Sequence, residues 1–227
     1  MKISPISVEL IDHMGSDVSV VDAARVSFDK QSTGEINDAD CKLISYLATH
    51  NHWSPFSHAF ASFRIKAPIF VARQLVKHTV GLAWNEVSRR YVSSEPEFYL
   101  PDTWRKSASN VKQGSSNEAV DVDFSSWSTL KDGVSHSYDC FAVALDAYEE
   151  LLKQGVCAEQ ARMILPQNTM TEWIWSGSLY AFARVCNLRL DSHTQKETQE
   201  VAKLISNDMK QLFPVSWEVL VNDNDNK

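Results

Sequence analysis

The stretch "SFRIKAPIFVARQLVKH" changes its period at one residue. Phe63 and Ile65 alternate with Arg64 and Lys66, the pattern of a half-buried strand. From about Ile69 to His78, Val71, Leu75 and Val76 recur at helical spacing. Pro68 lies between the two patterns, where it suits the first position of a helix. A strand that runs straight into a helix requires a fold built from both.

The rest of the chain supports that reading. "ISVELI" reads as a first strand. "DVSVVDAARVSF" has helical spacing through Val18, Val21 and Ala24. "NDADCKLISYLATH" is a clearer helix, with Asn37 or Asp38 as its cap and Leu43, Ile44 and Leu47 as its apolar stripe. Gly81 reads as a break, and "NEVSRRYV" as extended or tightly turned. Residues from about 103 to 135 are rich in Ser, Asn, Asp and Gly and read as a long polar loop. A helix follows from about Ser137 to Gln154, stopped by Gly155. "CAEQARMIL" reads as a short helix ended by Pro166, and "EWIWSGSLYAFARVCNLRL" as a buried helix. "SHTQKETQEVAKLISNDMKQLF" is an amphipathic helix ended by Pro214, and the tail "NDNDNK" is expected to fray. With no repeat and no clear linker, residues 1–227 read as one α+β domain. Its core is a central, mostly antiparallel sheet flanked by long helices.

The chain carries a net charge of −7, yet six basic residues and one acid, Glu86, lie between Arg64 and Arg90. The acidic total argues against duplex nucleic acid as a partner. A local basic cluster still suits a small anion. No apolar run approaches the length of a membrane span, and the N-terminus lacks the apolar core of a signal peptide. The cysteines Cys41, Cys140, Cys157 and Cys186 are scattered with no CxxC, so a reduced, cytoplasmic setting is expected.

"NEVSRR" packs an amide, a carboxylate, a hydroxyl and two guanidiniums into six residues, a density that suits a nucleotide. Arg73 and Lys77 share a helix face and, from spacing alone, read as solvated charges. "HNHWSPFSH" holds His50, His52 and His58 with no carboxylate in the motif. A hydrogen-bonding role in a turn is therefore favoured over a metal. Trp84, Trp173 and Trp175 read first as core and second as stacking surfaces. "NLRLDSH" is either a bare helix end or a ligand site built on Arg189, with Asp191 and His193 as supports.

Taken in order, "ARVSF", "HWSPFSH", "KAPIFVARQ", "NEVSRRY", "EFYLP", "ARMILP" and "NLRLDSHTQ" resemble segments of the flavin-dependent thymidylate synthases. The family's signature is an Arg-His-Arg triplet followed by a Ser. Here Lys77-His78-Thr79 is followed by eight residues and then Ser88. The resemblance implies a homotetramer with active sites between subunits and with bound FAD reduced by NADPH. It implies methylenetetrahydrofolate as carbon donor and dUMP as acceptor. It implies no attacking cysteine, and no cysteine here lies in a basic, polar segment that would activate a thiolate.

Carried over residue by residue, the resemblance places Arg73, Gln74, Lys77, Glu86, Val87, Ser88, Arg89, Arg90, Arg162 and Arg189 at dUMP. Ser54, Lys77, His78, Thr79, Glu86, Ser178, Tyr180, Arg184 and His193 are placed at FAD. Arg189, Ser88 and His52 are the candidate catalytic residues. Arg189 matches the arginine that favours ionisation at the uracil N3, and His52 a histidine near flavin and folate. No metal is implied. Lys77 lacks the guanidinium fork of the first signature arginine, and Thr79 lacks the charge of the second. Ser178 and Tyr180 stand where many members have Asn and Arg, and Arg184 stands near a usual Asn. Two alternatives remain: a related flavoenzyme that hydroxymethylates or otherwise modifies a pyrimidine nucleotide, and a nucleotide-binding protein without turnover.

Overall fold

Every strand of the central sheet brings one face of apolar side chains to a common layer. The computed structural model describes residues 1–108, 115–122 and 139–221. The N-terminal half contains β1 (Lys2–Ile3), β2 (Ser7–Met14), α1 (Asp17–Arg25), α2 (Asp38–Thr49), β3 (Phe60–Pro68), α3 (Ile69–Leu75) and β4 (Leu82–Glu86). Then come β5 (Glu97–Phe98), β6 (Arg105–Ser107), β7 (Ser115–Ala119), α4 (Asp139–Lys153) and α5 (Ala158–Ala161). The chain continues through β8 (Met170–Ser178), α6 (Leu179–Arg189), α7 (Lys196–Leu212) and α8 (Pro214–Leu220). Four strands pair in the order β2-β3-β8-β4, antiparallel throughout. The expected antiparallel α+β architecture is the one found.

The register explains the core. Leu10, Phe63, Trp175 and Trp84 form one row across all four strands, and Val8, Ile65 and Trp173 continue a second row that ends at Glu86. Phe182 of α6 meets Phe63 and Trp175 edge-on, with centroids 5.2 Å and 5.5 Å away. Such pairs add to the burial of the rings themselves. Trp84 stacks on Trp173 at 4.3 Å. The three tryptophans therefore serve the core and its edge. A smaller cluster, with Phe98, Leu145, Tyr148 and Ala161, ties α4 and α5 to β5.

Several expectations change. "EWIWSGS" is strand, not helix, and the helix begins only at Leu179. Trp173 and Trp175 are buried, while Ile174 between them points outward and is 42% exposed. An apolar residue on the outer face hid the period of two. The α3 helix stops at Leu75 rather than His78, and Gly81 follows with φ +75°. Pro214 does not simply end α7; it opens α8 at its first turn. In the polar 103–135 region, β6 and β7 pair as an antiparallel ribbon. The rest of that region, from 109 to 114 and beyond 122, lies outside the described residues, as does the tail from 222.

Two joints pass a strand of the sheet directly into a helix. β3 passes into α3, and β8 into α6, with no intervening residue. Pro68 and Ser178 are extended (φ −67°, ψ 153° and φ −73°, ψ 155°), and the next residue is helical. Sheet register thus fixes where each helix starts. Gly177 lets β4 begin close to β8, because a Cβ there would lie 2.4 Å from Leu82 and 2.6 Å from the Gly81 carbonyl oxygen.

Candidate functional site

The two helices that leave the sheet at Pro68 and Ser178 carry polar residues at their far ends. Arg73 and Gln74 lie at the end of α3, and Lys77 just beyond it. Asn187 and Arg189 close α6, and residues 191–195 lead into α7. Together these line a cavity of about 770 Å³ that contains Arg73, Gln74, Lys77, Arg189, Asp191 and His193. The sequence separates its two halves by more than a hundred residues; the two joints bring them together.

Arg189 is its centre. The side chain is partly buried, donates from Nε to His78 Nε2 at 3.0 Å, and donates from Nη2 to the Gln74 carbonyl oxygen at 3.5 Å. His78 Nε2 must therefore accept, which places the proton of the neutral ring on Nδ1. Burial lowers the His78 pKa, and the guanidiniums of Arg189 and Arg184 lower it further. The ring thus stays neutral, where it can support Arg189. Asp191 does not pair with Arg189. Its Oδ1 accepts from the His193 backbone N–H at 2.8 Å and meets His193 Nδ1 at 3.0 Å. These bonds hold the Asp191 carboxyl below the usual carboxylate range. With Arg73, Lys77 and Arg189 facing one carboxylate already engaged, the donor set suits a phosphate-bearing group such as dUMP or FAD.

A second cavity, of about 380 Å³, lies at the end of β4. It is lined in part by Lys66, Glu86, Val87, Arg89, Arg162 and Glu97. Glu86 accepts from Thr171 Oγ1 at 2.7 Å and from Trp84 Nε1 at 3.2 Å, so both carboxylate oxygens are oriented. Arg89 donates to the Ser94 carbonyl oxygen at 2.9 Å. Ser88 Oγ accepts from Arg90 Nε at 3.1 Å. Glu97 receives Lys2 and Lys66, which hold its carboxyl at about 2.

The other candidates line neither cavity. Ser178 is buried, and its Oγ accepts from the Ala181 N–H, so it caps α6. The Tyr180 ring lies 6.3 Å from the exposed Trp53. His52, Ser54, Thr79 and Arg184 are exposed, as is Arg90. Sequence reasoning missed the first turn of α7. There Gln195 and Thr198 bond the Gln74 side chain, and Glu197 receives Arg105 Nη2 at 2.7 Å. Gln195 lay inside the "NLRLDSHTQ" segment, but nothing in its spacing pointed to a partner on α3.

Known proteins resemble this chain along almost its whole length. A family profile described as thymidylate synthase complementing protein matches residues 9–215. A flavin-dependent thymidylate synthase of Thermosipho africanus is 37% identical, covering 93% of this chain and 89% of that protein. Its counterpart in Thermus thermophilus is 38% identical over 92% and 73%. A crystal structure of the UMP/dUMP methylase PolB from Streptomyces cacaoi, bound with 5-Br dUMP, superposes with a TM-score of 0.81 at 31% identity. That match covers 96% of both chains. With a profile spanning almost the whole sheet-and-helix core, and the polar helix ends gathered as described, the chain belongs to the flavin-dependent thymidylate synthase family.

Proposed function

We propose that this chain is a methyltransferase that converts dUMP to dTMP, taking its carbon from methylenetetrahydrofolate. The observation that carries this reading is Arg189, held between His78 and the Gln74 carbonyl at a cationic cavity. A guanidinium there can pair with the uracil N3–C=O edge and stabilise negative charge as it develops, which makes C5 the better nucleophile. Arg73 and Lys77 hold the phosphate. Glu86, oriented by Thr171 and Trp84, and Ser88, tied to Arg90, orient the nucleotide. Lys77, His78 and Thr79 hold FAD, with Ser54, Tyr180, Arg184 and His193 around them. Bound FAD, reduced by NADPH, supplies the hydride that completes the methyl group. No cysteine among the described residues lines either cavity, and burial raises the Cys186 thiol pKa, which fits a route without a cysteine nucleophile.

Among the candidates, Arg73, Gln74, Lys77, Arg189 and His193 line one cavity and Glu86, Val87, Arg89 and Arg162 line the other, and the two cavities share no lining residue. This supports a homotetramer in which one subunit's Arg189 side meets another's Glu86 side. Exposed Phe28, Val80, Tyr91 and Met163 supply apolar surface for such contacts.

A second reading has a specific basis: PolB is named a UMP/dUMP methylase, so UMP is a second candidate acceptor for this chain. Incubation with labelled dUMP or UMP, methylenetetrahydrofolate, FAD and NADPH separates the readings. The expected product is dTMP from dUMP. Methylation of UMP at a comparable rate would establish the wider acceptor range, and a 5-hydroxymethyl product would overturn reductive methylation.

The signature departures give a further prediction. Lys77 and Thr79 are both exposed, so Lys77→Arg with Thr79→Arg should leave the melting temperature unchanged. The two added forks should tighten FAD, read as a lower Kd in a flavin fluorescence titration. Weaker FAD binding would show that the pocket has been rebuilt around other contacts.

A further inference from the structure

We propose that Gln195 and Thr198 are positioning residues that lock the Gln74 amide in one orientation for the nucleotide. This rests on the reading of Gln74 as a dUMP contact. Gln74 Nε2 donates to Gln195 Oε1 at 2.5 Å, and Thr198 Oγ1 donates to Gln74 Oε1 at 3.2 Å. A primary amide has two N–H donors and two carbonyl lone pairs. One of each is taken, so one N–H and one lone pair stay free on a side chain that lines the cationic cavity. A free amide could rotate and exchange its donor with its acceptor. Bonded at both ends, it offers a ligand one fixed donor–acceptor pair.

The partners are themselves fixed. Thr198 is fully buried. The backbone N–H groups of Thr198 and Gln199 both donate to the Gln195 carbonyl oxygen at 2.9 Å, which sets the first turn of α7. The buried Gln199 donates from Nε2 to the carbonyl oxygens of Asp191 at 2.7 Å and Thr194 at 2.9 Å. The same turn therefore also holds the loop that carries Asp191 and His193. Glu197, next to Thr198, anchors this turn to the β6–β7 ribbon through Arg105. One helix turn thus arranges two walls of one cavity.

The test uses the flavin-loaded full chain and dUMP, with binding measured calorimetrically in the absence of folate. Thr198→Val keeps the shape of the side chain but removes the donor. It should weaken dUMP by about tenfold, the scale of one lost hydrogen bond. Flavin content and melting temperature should stay close to the parent's. In turnover the effect should fall on KM for dUMP rather than on kcat, as for an interaction made equally before and at the transition state. Thr198→Ser should restore affinity, and Gln195→Met should weaken it as Thr198→Val does. In a Gln74→Met background, Thr198→Val should have no further effect. If Gln74→Met leaves dUMP affinity unchanged, the assignment of Gln74 to the nucleotide fails. If Gln74→Met weakens dUMP but Thr198→Val does not, or if Thr198→Val acts equally in both backgrounds, the positioning role is overturned.

Discussion

Arg189→Lys is expected to keep its fold and its flavin while dTMP formation falls roughly a hundredfold, the effect of losing one preorganised donor worth about 3 kcal/mol. The side chain bonds in two directions at once, from Nε to His78 and from Nη2 to the Gln74 carbonyl oxygen. Its planar fork is what lets it do so and still present donors to a ligand. A lysine amine keeps the charge, so nucleotide attraction survives. It cannot hold two protein acceptors and a uracil edge in one plane. The competing explanation, a structural ion pair with Asp191, is weakened because His193 occupies that carboxylate. Melting temperature, flavin content and dTMP formation on one preparation decide the matter. Near-normal dTMP formation per bound flavin would remove Arg189 from the role of activating the pyrimidine.

The largest stability effect is expected at Asp17. This residue lies in the first turn of α1 and is 4% exposed. Its carboxylate accepts from the backbone N–H groups of Val215 at 3.0 Å and Ser216 at 2.9 Å, in the opening turn of α8. It therefore caps a helix almost two hundred residues away, where the helix dipole also favours a negative charge. Asp17→Ala leaves two N–H groups without their acceptor at a site closed to water. The expected loss is about 3 kcal/mol, since hydrogen bonds to a charged group exceed neutral ones. For a chain of this size that lowers the melting temperature by roughly 6–12 °C. Asp17→Asn keeps one oxygen acceptor and should fall between. Calorimetry on the three proteins checks the order; a loss under about 2 °C for Asp17→Ala would mean that α8 is held by its apolar face alone.

How much of this could be read from the sequence depended on the range of the interactions. Period alone placed β3, α2 and α7, because each has a polar outer face that contrasts with its buried one. Asn37 was legible as a cap, and the structure shows it accepting from the Ala39 and Asp40 N–H groups. Strand β8 was not legible, because Ile174 removes the contrast on which alternation depends. Helix α8 was hidden by Pro214, which can end one helix or open another; the cap that chooses between them comes from Asp17. The locally dense segments "NEVSRR" and "NLRLDSH" each contribute residues to the lining of one of the two cavities. Placing Gln74 and Arg189 at one ligand rested on family resemblance rather than on spacing; His78 was expected at FAD, and its bond to Arg189 has no local sequence signal. Gln195 and Thr198 escaped notice because their partner is on α3, and no local rule links the two.

The joints at Pro68 and Ser178 also limit how the chain length can vary. An α-helix turns about 100° for each residue. One residue inserted between β3 and α3 would leave the sheet register in place and swing Gln74 about a quarter-turn away from Gln195 and Thr198. One inserted between β8 and α6 would do the same to Arg189 and His78. Substitution at these joints changes local fit, but insertion or deletion rotates half the cavity away from the other half. The connection that replaces a flexible loop with a rigid hinge-free corner thus acts as a ruler, and the reading frame of the site is counted from the sheet.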